Sequence, residues 1–394
     1  MLKKCMFVLG LFLLANFSLA QVNSLDQILA QIEQNNPKLK AYSNLMEAEM
    51  LELESSNQLS NPELSAYYLP FGEHGGGDYL EYEISQTIEF PSVYLARNSL
   101  IKSRKQKLEL VYQQKRKAIL FLAKTLGLKL IYCNKRIELE QNRRQNAELL
   151  FNQIKEQFEK DQVNILDYNK AQIHWLQQQF QVAQLEKERE ALLMELRHLN
   201  GDLALQTELK DFEEALTLVS FDSLWMQFRS TDPDLQIVEQ ERQMSKDNYR
   251  LAKQKLWPDL TAGYNSQGIA GERYSGLYAG LSIPLWQARK KLKIASVQAI
   301  YQDQASEVSL QEKKSHFSAA YYKYRLDLEQ FQRYESSLGQ INSEDLLLKA
   351  YELGQLSFLE YYMDLQFYRD AKDKYLEMQF QLQIAKSELS KHLL

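Results

Sequence analysis

Cysteine, histidine and long apolar runs are all scarce in this chain of 394 residues, and each scarcity closes off a class of protein. Of the two cysteines, Cys5 falls inside an amino-terminal segment that reads as a leader, so Cys133 stands alone and no intramolecular disulfide can form. No cysteine follows that segment to carry a lipid. The five histidines, His74, His174, His198, His316 and His392, form no HxxxH pair and have no cysteine cluster beside them, so no metal site is expected. His74, next to Glu73 in a Gly-rich stretch, reads as a solvated loop. No phosphate-binding loop, dinucleotide fingerprint or nucleophile elbow occurs, so neither a cofactor nor an enzyme is expected. Beyond residue 20 no apolar run reaches the length of a membrane-spanning helix, which leaves open a β-barrel, whose strands each carry a weak signal. A formal net charge of -5 argues against nucleic acid as a partner.

What remains is rich in Leu, Gln, Lys, Glu and Ala, the composition of long helices. Residues 1–20 carry Lys3 and Lys4, an apolar run from Met6 to Leu14, and Ser18-Leu19-Ala20, the pattern of a secretory signal peptide. The 7 prolines and 14 glycines crowd around two short segments that interrupt the helical sequence. In the first, Leu80, Tyr82, Ile84, Gln86, Ile88 and Phe90 alternate with Tyr79, Glu81, Glu83, Ser85, Thr87 and Glu89, the period of a strand with one apolar face. Gly72 to Asp78 supplies a loop and Pro91 a stop. In the second, Leu277, Ala279, Leu281, Ile283 and Leu285 alternate with Tyr278, Gly280 and Ser282 before Pro284.

The chain is thus duplicated. Pro37 and Pro233, like Pro62 and Pro258, are 196 apart, while Pro91 and Pro284 are 193 apart. The division expected is a first repeat over 21–200, with a strand hairpin at 62–90 and a helical hairpin at 92–200, a connector over 201–222, and a second repeat over 223–394. In the latter the strand hairpin is 258–285 and the helical hairpin 286–392. Helices are expected over Ser24–Gln34, Pro37–Gln58, Ser92–Phe158, Ile165–Asn200, Pro233–Leu256 and Trp286–Glu352, with a turn at Leu353–Ser357 and a last helix to His392. The return helices carry a heptad stripe, Tyr168, Trp175, Val182, Arg189 and Leu196 in one and Tyr361, Tyr368, Tyr375, Leu382 and Leu389 in the other, which implies coiled-coil packing.

Four strands match the length needed to cross an outer membrane but are too few to close a barrel, and an open edge in lipid strands its backbone groups. Oligomerisation is therefore expected. In a trimer of twelve strands, Leu80, Tyr82, Ile84, Ile88, Leu277, Leu281 and Ile283 face lipid, and Glu81, Glu83 and Thr87 face a wet lumen. A small soluble sheet with one buried face fits the alternation equally well. The basic stretches Lys102–Lys107 and Arg289–Lys293 read as solvated helix faces near the hairpins.

Together with the duplicated layout, the motifs FEKDQVNILDYNKAQ and YELGQLSFLEYYMDLQ resemble the TolC family of outer-membrane efflux proteins across residues 24–392. The resemblance implies a mainly α protomer with a transmembrane β-barrel, assembled as a homotrimer with a 12-stranded barrel in outer-membrane lipid and a coiled-coil tunnel in the periplasm. It implies a passive exit duct that docks on a periplasmic adaptor and an inner-membrane pump. SQTIEFPSVYLAR resembles the branch that serves heavy-metal pumps of the resistance-nodulation-division type. By motif match, Asp167, Tyr351 and Glu360 form the periplasmic gate, and the turns at Asp161, Gln162, Val163 and at Gly354, Gln355, Leu356 form the tips that meet the adaptor. Leu356 and Met363 stand where the family has a basic and an acidic residue, which alters the lock of the gate. Helix capping alone also accounts for Asp167 and Glu360. A periplasmic adaptor or a structural coiled coil is the alternative, although an adaptor has one helical hairpin rather than two.

Overall fold

The computed structural model describes residues 24–70, 78–205, 209–212, 216–269, 271–338 and 344–394. The leader and most of the Gly-rich loop, with His74, lie outside the described residues. In chain order the elements are α1 (Leu25–Asn35), α2 (Pro37–Ser55), β1 (Glu63–Leu69), β2 (Tyr79–Ile88), α3 (Pro91–Glu159) and α4 (Ile165–Leu199). There follow α5 (Phe221–Thr231), α6 (Pro233–Gln254), β3 (Asp259–Ile269), β4 (Glu272–Ser282), α7 (Gln287–Leu338), α8 (Glu344–Glu352) and α9 (Phe358–Leu389). No helix among the described residues is long and apolar enough to cross a membrane.

Proline starts three of the helices, α2, α3 and α6, at a position whose N–H has no helical partner to lose. Of these α3 is 69 residues long, roughly 100 Å at the helical rise. Its one glycine, Gly127, lies in mid-helix, where a Cβ would fall 2.2 Å from Leu25 Cδ1, so it lets α1 press onto α3. Around that contact Ile28, Ile32, Leu120, Ala123, Ile131 and Leu196 form a core that binds α1, α3 and α4 at mid-length. The junction is pinned by Asn36, whose side chain donates to Leu199 O at 2.7 Å and accepts from Leu39 N at 3.0 Å.

The second repeat opens with a helix, α5, that the sequence reading did not assign, since its first helix there began at Pro233. Ser220 caps α5, accepting from Ser223 N, as Ser24 caps α1 by accepting from Gln27 N. Around α5, Phe317, Tyr321, Tyr324, Leu328 and Leu382 repeat the mid-length core. The single helix expected over Trp286–Glu352 is described as α7 and α8, and residues 339–343 lie outside the described residues.

The four strands make one antiparallel sheet in the order β1-β2-β3-β4, so that β2 and β3 join the repeats and β1 and β4 are the edges. Register places Leu64, Ile84, Tyr264 and Leu277 in one row across the sheet. Ile283 lies one residue past the end of β4, where pairing stops at Asp259 and Ser282 just before Pro284, so it is not part of the apolar strand face to which the sequence reading assigned it.

Candidate functional site

The candidate functional residues lie in two regions at opposite ends of the long helices. At one end, the sheet sorts its side chains by face. Tyr82, Ile84, Leu277 and Leu281 are exposed on one side, where Leu80 and Ile88 are half-buried. On the other side Glu81 accepts from Asn265 and from Gln267, and Tyr278 donates to Glu83. Gly263 permits this last bond, because a Cβ there would lie 2.5 Å from the Tyr278 ring. Thr87 and Thr261 share a hydrogen bond of 2.9 Å on the same polar side. One face is thus apolar and bare, and the other is a hydrogen-bonded polar lattice.

At the far end, both helical hairpins turn by the same device. Asp161 takes φ of 55° and Gly354 φ of 67°, and the next residues, Gln162 and Gln355, donate to Gln157 O and Ala350 O at 2.8 Å. This is the left-handed helix stop that glycine favours and aspartate tolerates. Asn164 and Ser357 then cap α4 and α9. Asp161, Gln162, Gly354 and Gln355 are exposed, as expected for tips that meet a partner. Val163 and Leu356 depart from that expectation. Both are half-buried and pack back on a cluster of Leu150, Phe151, Ile154, Ala171, Tyr361 and Leu365, because the chain after each left-handed residue folds its next apolar side chain inward. The exposed apolar residues of the tips are instead Leu353, Ile165 and Leu166, which sequence reasoning missed.

The three residues that the motif match assigns to a gate, Asp167, Tyr351 and Glu360, all lie beside these turns. Tyr351 stacks on Tyr361 at 5.1 Å between ring centroids, and burial, then the nearby Asp167 charge, raise its hydroxyl pKa. Asp167 accepts from Asn164 Nδ2 at 2.9 Å, its own N–H donates to Asn164 Oδ1, and Lys170 Nζ lies 3.4 Å away. Glu360 closes a capping box with Ser357, accepting from Ser357 N at 2.8 Å, and the bonds to Ser357 hold its carboxyl below the usual range. Both acids are therefore held in capping arrangements at the first turns of α4 and α9. Leu356 fills the apolar cluster where the family has a basic residue, and Met363 and Asp364 are exposed one turn beyond Glu360.

A polar joint in α3, α4 and α9 was not legible beforehand. The His174 ring is 5% exposed, its Nε2 is 3.4 Å from Arg369 Nη1, and Tyr362 meets it edge-on. Arg143 donates to Glu140, to Asp373 and to Arg369 O. Among the described residues no cluster of three or more His, Cys, Asp or Glu side chains is placed to hold a metal ion.

No protein-family model and no curated protein matches the sequence. Solved structures do match. The chain is similar to that of CusC, a transmembrane channel, with a TM-score of 0.77 and 13% identity over 94% of this chain and 92% of that one. It is similar to a membrane protein from Pseudomonas aeruginosa, with a TM-score of 0.78 and 14% identity over 94% and 92%. It is also similar to the Campylobacter jejuni CmeC outer membrane channel, with a TM-score of 0.72 and 14% identity over 93% and 85%. At such identities the likeness is one of fold, and the chain has the outer-membrane channel fold that its resemblance to the TolC family implies.

Proposed function

We propose that three copies of this chain form a passive exit duct in the outer membrane of a Gram-negative-type cell, with the long helices as a tunnel in the periplasm. The observation that carries this reading is the four-stranded sheet with two free edges, bare and apolar on one face and polar on the other, at the end of the helices opposite the tips. An edge left open in lipid costs several kcal/mol per unpaired backbone group, so the sheet needs neighbours on both sides. Three copies supply twelve strands, with Tyr82, Ile84, Leu277 and Leu281 toward lipid and Glu81, Glu83 and Thr87 toward water. The tips, with Asp161, Gln162, Gly354 and Gln355 outermost, dock a periplasmic adaptor tied to an inner-membrane pump of the resistance-nodulation-division type. Asp167 and Glu360 in three copies ring the entrance with negative charge, which favours cations over anions. That ring and the SQTIEFPSVYLAR stretch support metal cations as cargo. The duct performs no chemistry.

Planar-bilayer conductance of the detergent-extracted protein, with its oligomer mass measured on the same sample, tests the reading. A trimer with cation-selective currents is the expected result. A soluble monomer or dimer without conductance would transfer the chain to the adaptor or scaffold class.

A further inference from the structure

The duplication lets the chain serve as a template for its own assembly. Leu64, Ala66 and Tyr68 of β1 recur as Leu260, Ala262 and Tyr264 of β3, 196 residues on, and Ile84 and Ile88 of β2 correspond to Leu277 and Leu281 of β4, 193 residues on. Inside the chain β2 pairs with β3, with Ile84 opposite Tyr264 and Ile88 opposite Leu260. The free edges β4 and β1 are the counterparts of that pair. Carried over, the register sets Leu277 opposite Tyr68 of the next copy and Leu281 opposite its Leu64. Both matches join apolar face to apolar face, whereas a slip of one residue would turn one strand over.

The helices beside these strands follow the same rule with a change of chemistry. Within the chain, Lys107 of α3 bonds Glu241 of α6 at 2.5 Å, and Asp247, 1% exposed, accepts from Ser103 at 2.7 Å and Ser99 at 3.3 Å. By the same offsets Lys107 becomes Ile300 of α7, while Glu241 and Asp247 become Leu45 and Leu51 of α2. Ile300 is 57% exposed, Leu45 54% and Leu51 59%. An ion pair and a sealed carboxylate are thus replaced by three bare aliphatic side chains.

We propose that adjacent copies join β4 and α7 of one chain to β1 and α2 of the next in this register, with Ile300 against Leu45 and with Leu51 seated where Asp247 sits internally. The seam between copies is apolar where the seam within a copy is polar. This difference sorts the two seams, because exchanging helices between them would leave Lys107 or Glu241 facing a leucine or isoleucine, a buried charge without its partner. The proposal rests on the trimeric reading above and gives it residues.

The test uses the full chain in detergent, with oligomer mass as the readout. Leu45→Glu and Ile300→Lys should each lower the trimer's association constant by at least about tenfold, and the double variant, which rebuilds the internal Lys107–Glu241 pair, should recover most of it. A second measurement covers variants that fail to fold. Leu281→Cys with Leu64→Cys should cross-link copies under mild oxidant, while the pair set by a one-residue slip, Leu281→Cys with Ser65→Cys, should not. Cys133 does not interfere, being buried with its thiol pKa pushed up to about 11. A trimer indifferent to either single charge, a double variant no better than the worse single, or cross-links in the slipped pair overturns the register and leaves the duct standing. A monomeric wild type overturns both.

Discussion

Acidification from pH 7 to pH 5 should loosen the joint between α4 and α9, because opening it lets His174 take up a proton that the closed joint refuses. Burial, and then the charge of Arg369, push the His174 pKa from 6.5 down to about 4. Once exposed, the ring returns to its ordinary value. A histidine with a lowered pKa binds fewer protons closed than open, so the closed joint has its full stability above about pH 6.5. It loses stability as the pH falls from there toward 4 and loses no more below that. With those two values the loss at pH 5 is roughly 2 kcal/mol per copy, or about thirtyfold in the opening constant. The nearby charges of Arg143, Glu140 and Asp373 are present in any His174 variant and cancel in a comparison. Amide hydrogen exchange of α4 and α9, corrected for intrinsic rates, measures the opening directly. Wild type should gain about twentyfold in opening relative to His174→Gln between pH 7 and pH 5. Identical pH responses in the two proteins, or a wild-type joint that tightens on acidification, would refute the reasoning.

Leu281→Arg puts a cation on the bare apolar face and should weaken the barrel by roughly 2 to 4 kcal/mol at mid-membrane depth, seen as lost trimer in purified membranes. Replacing Asp167 and Glu360 together with Ala should lower cation preference in bilayer recordings, while Asn164 and Ser357 keep both helices capped. Gly201→Ala meets both a φ of 68° and a Cβ position 2.9 Å from Asn35 O, so it should cost about 1 kcal/mol or more, read as a lower urea midpoint.

Most of the fold was legible because it rests on period and repetition. The alternation of Tyr79–Phe90 needs a two-sided strand, the proline offsets give the duplication, and the heptad from Tyr361 to Leu389 gives the buried stripe of α9, with Tyr361, Leu382 and Leu389 all sealed. What escaped depends on contacts between residues far apart in the chain. His174 and Arg369 are 195 positions apart, and nothing in either local sequence announces the other. Gly127 reads as a weak spot in a helix until Leu25 is seen against it. Helix α5 was hidden because it is only 11 residues long and its cap, Ser220, follows a mainly apolar Leu216–Val219 run, although the offset of 196 from Ser24 would have found it. The inward facing of Val163 and Leu356 also escaped the sequence. Motif matching assigned them the family's docking role from their place in the turn, but a side chain's direction after a left-handed residue is set by the packing behind it, here the Tyr361 and Phe151 cluster. Position in a turn therefore transfers between relatives more safely than the outward facing of any one side chain. For this tip, the surface a partner can touch is the polar pairs of the two turns with Leu353, Ile165 and Leu166 beside them.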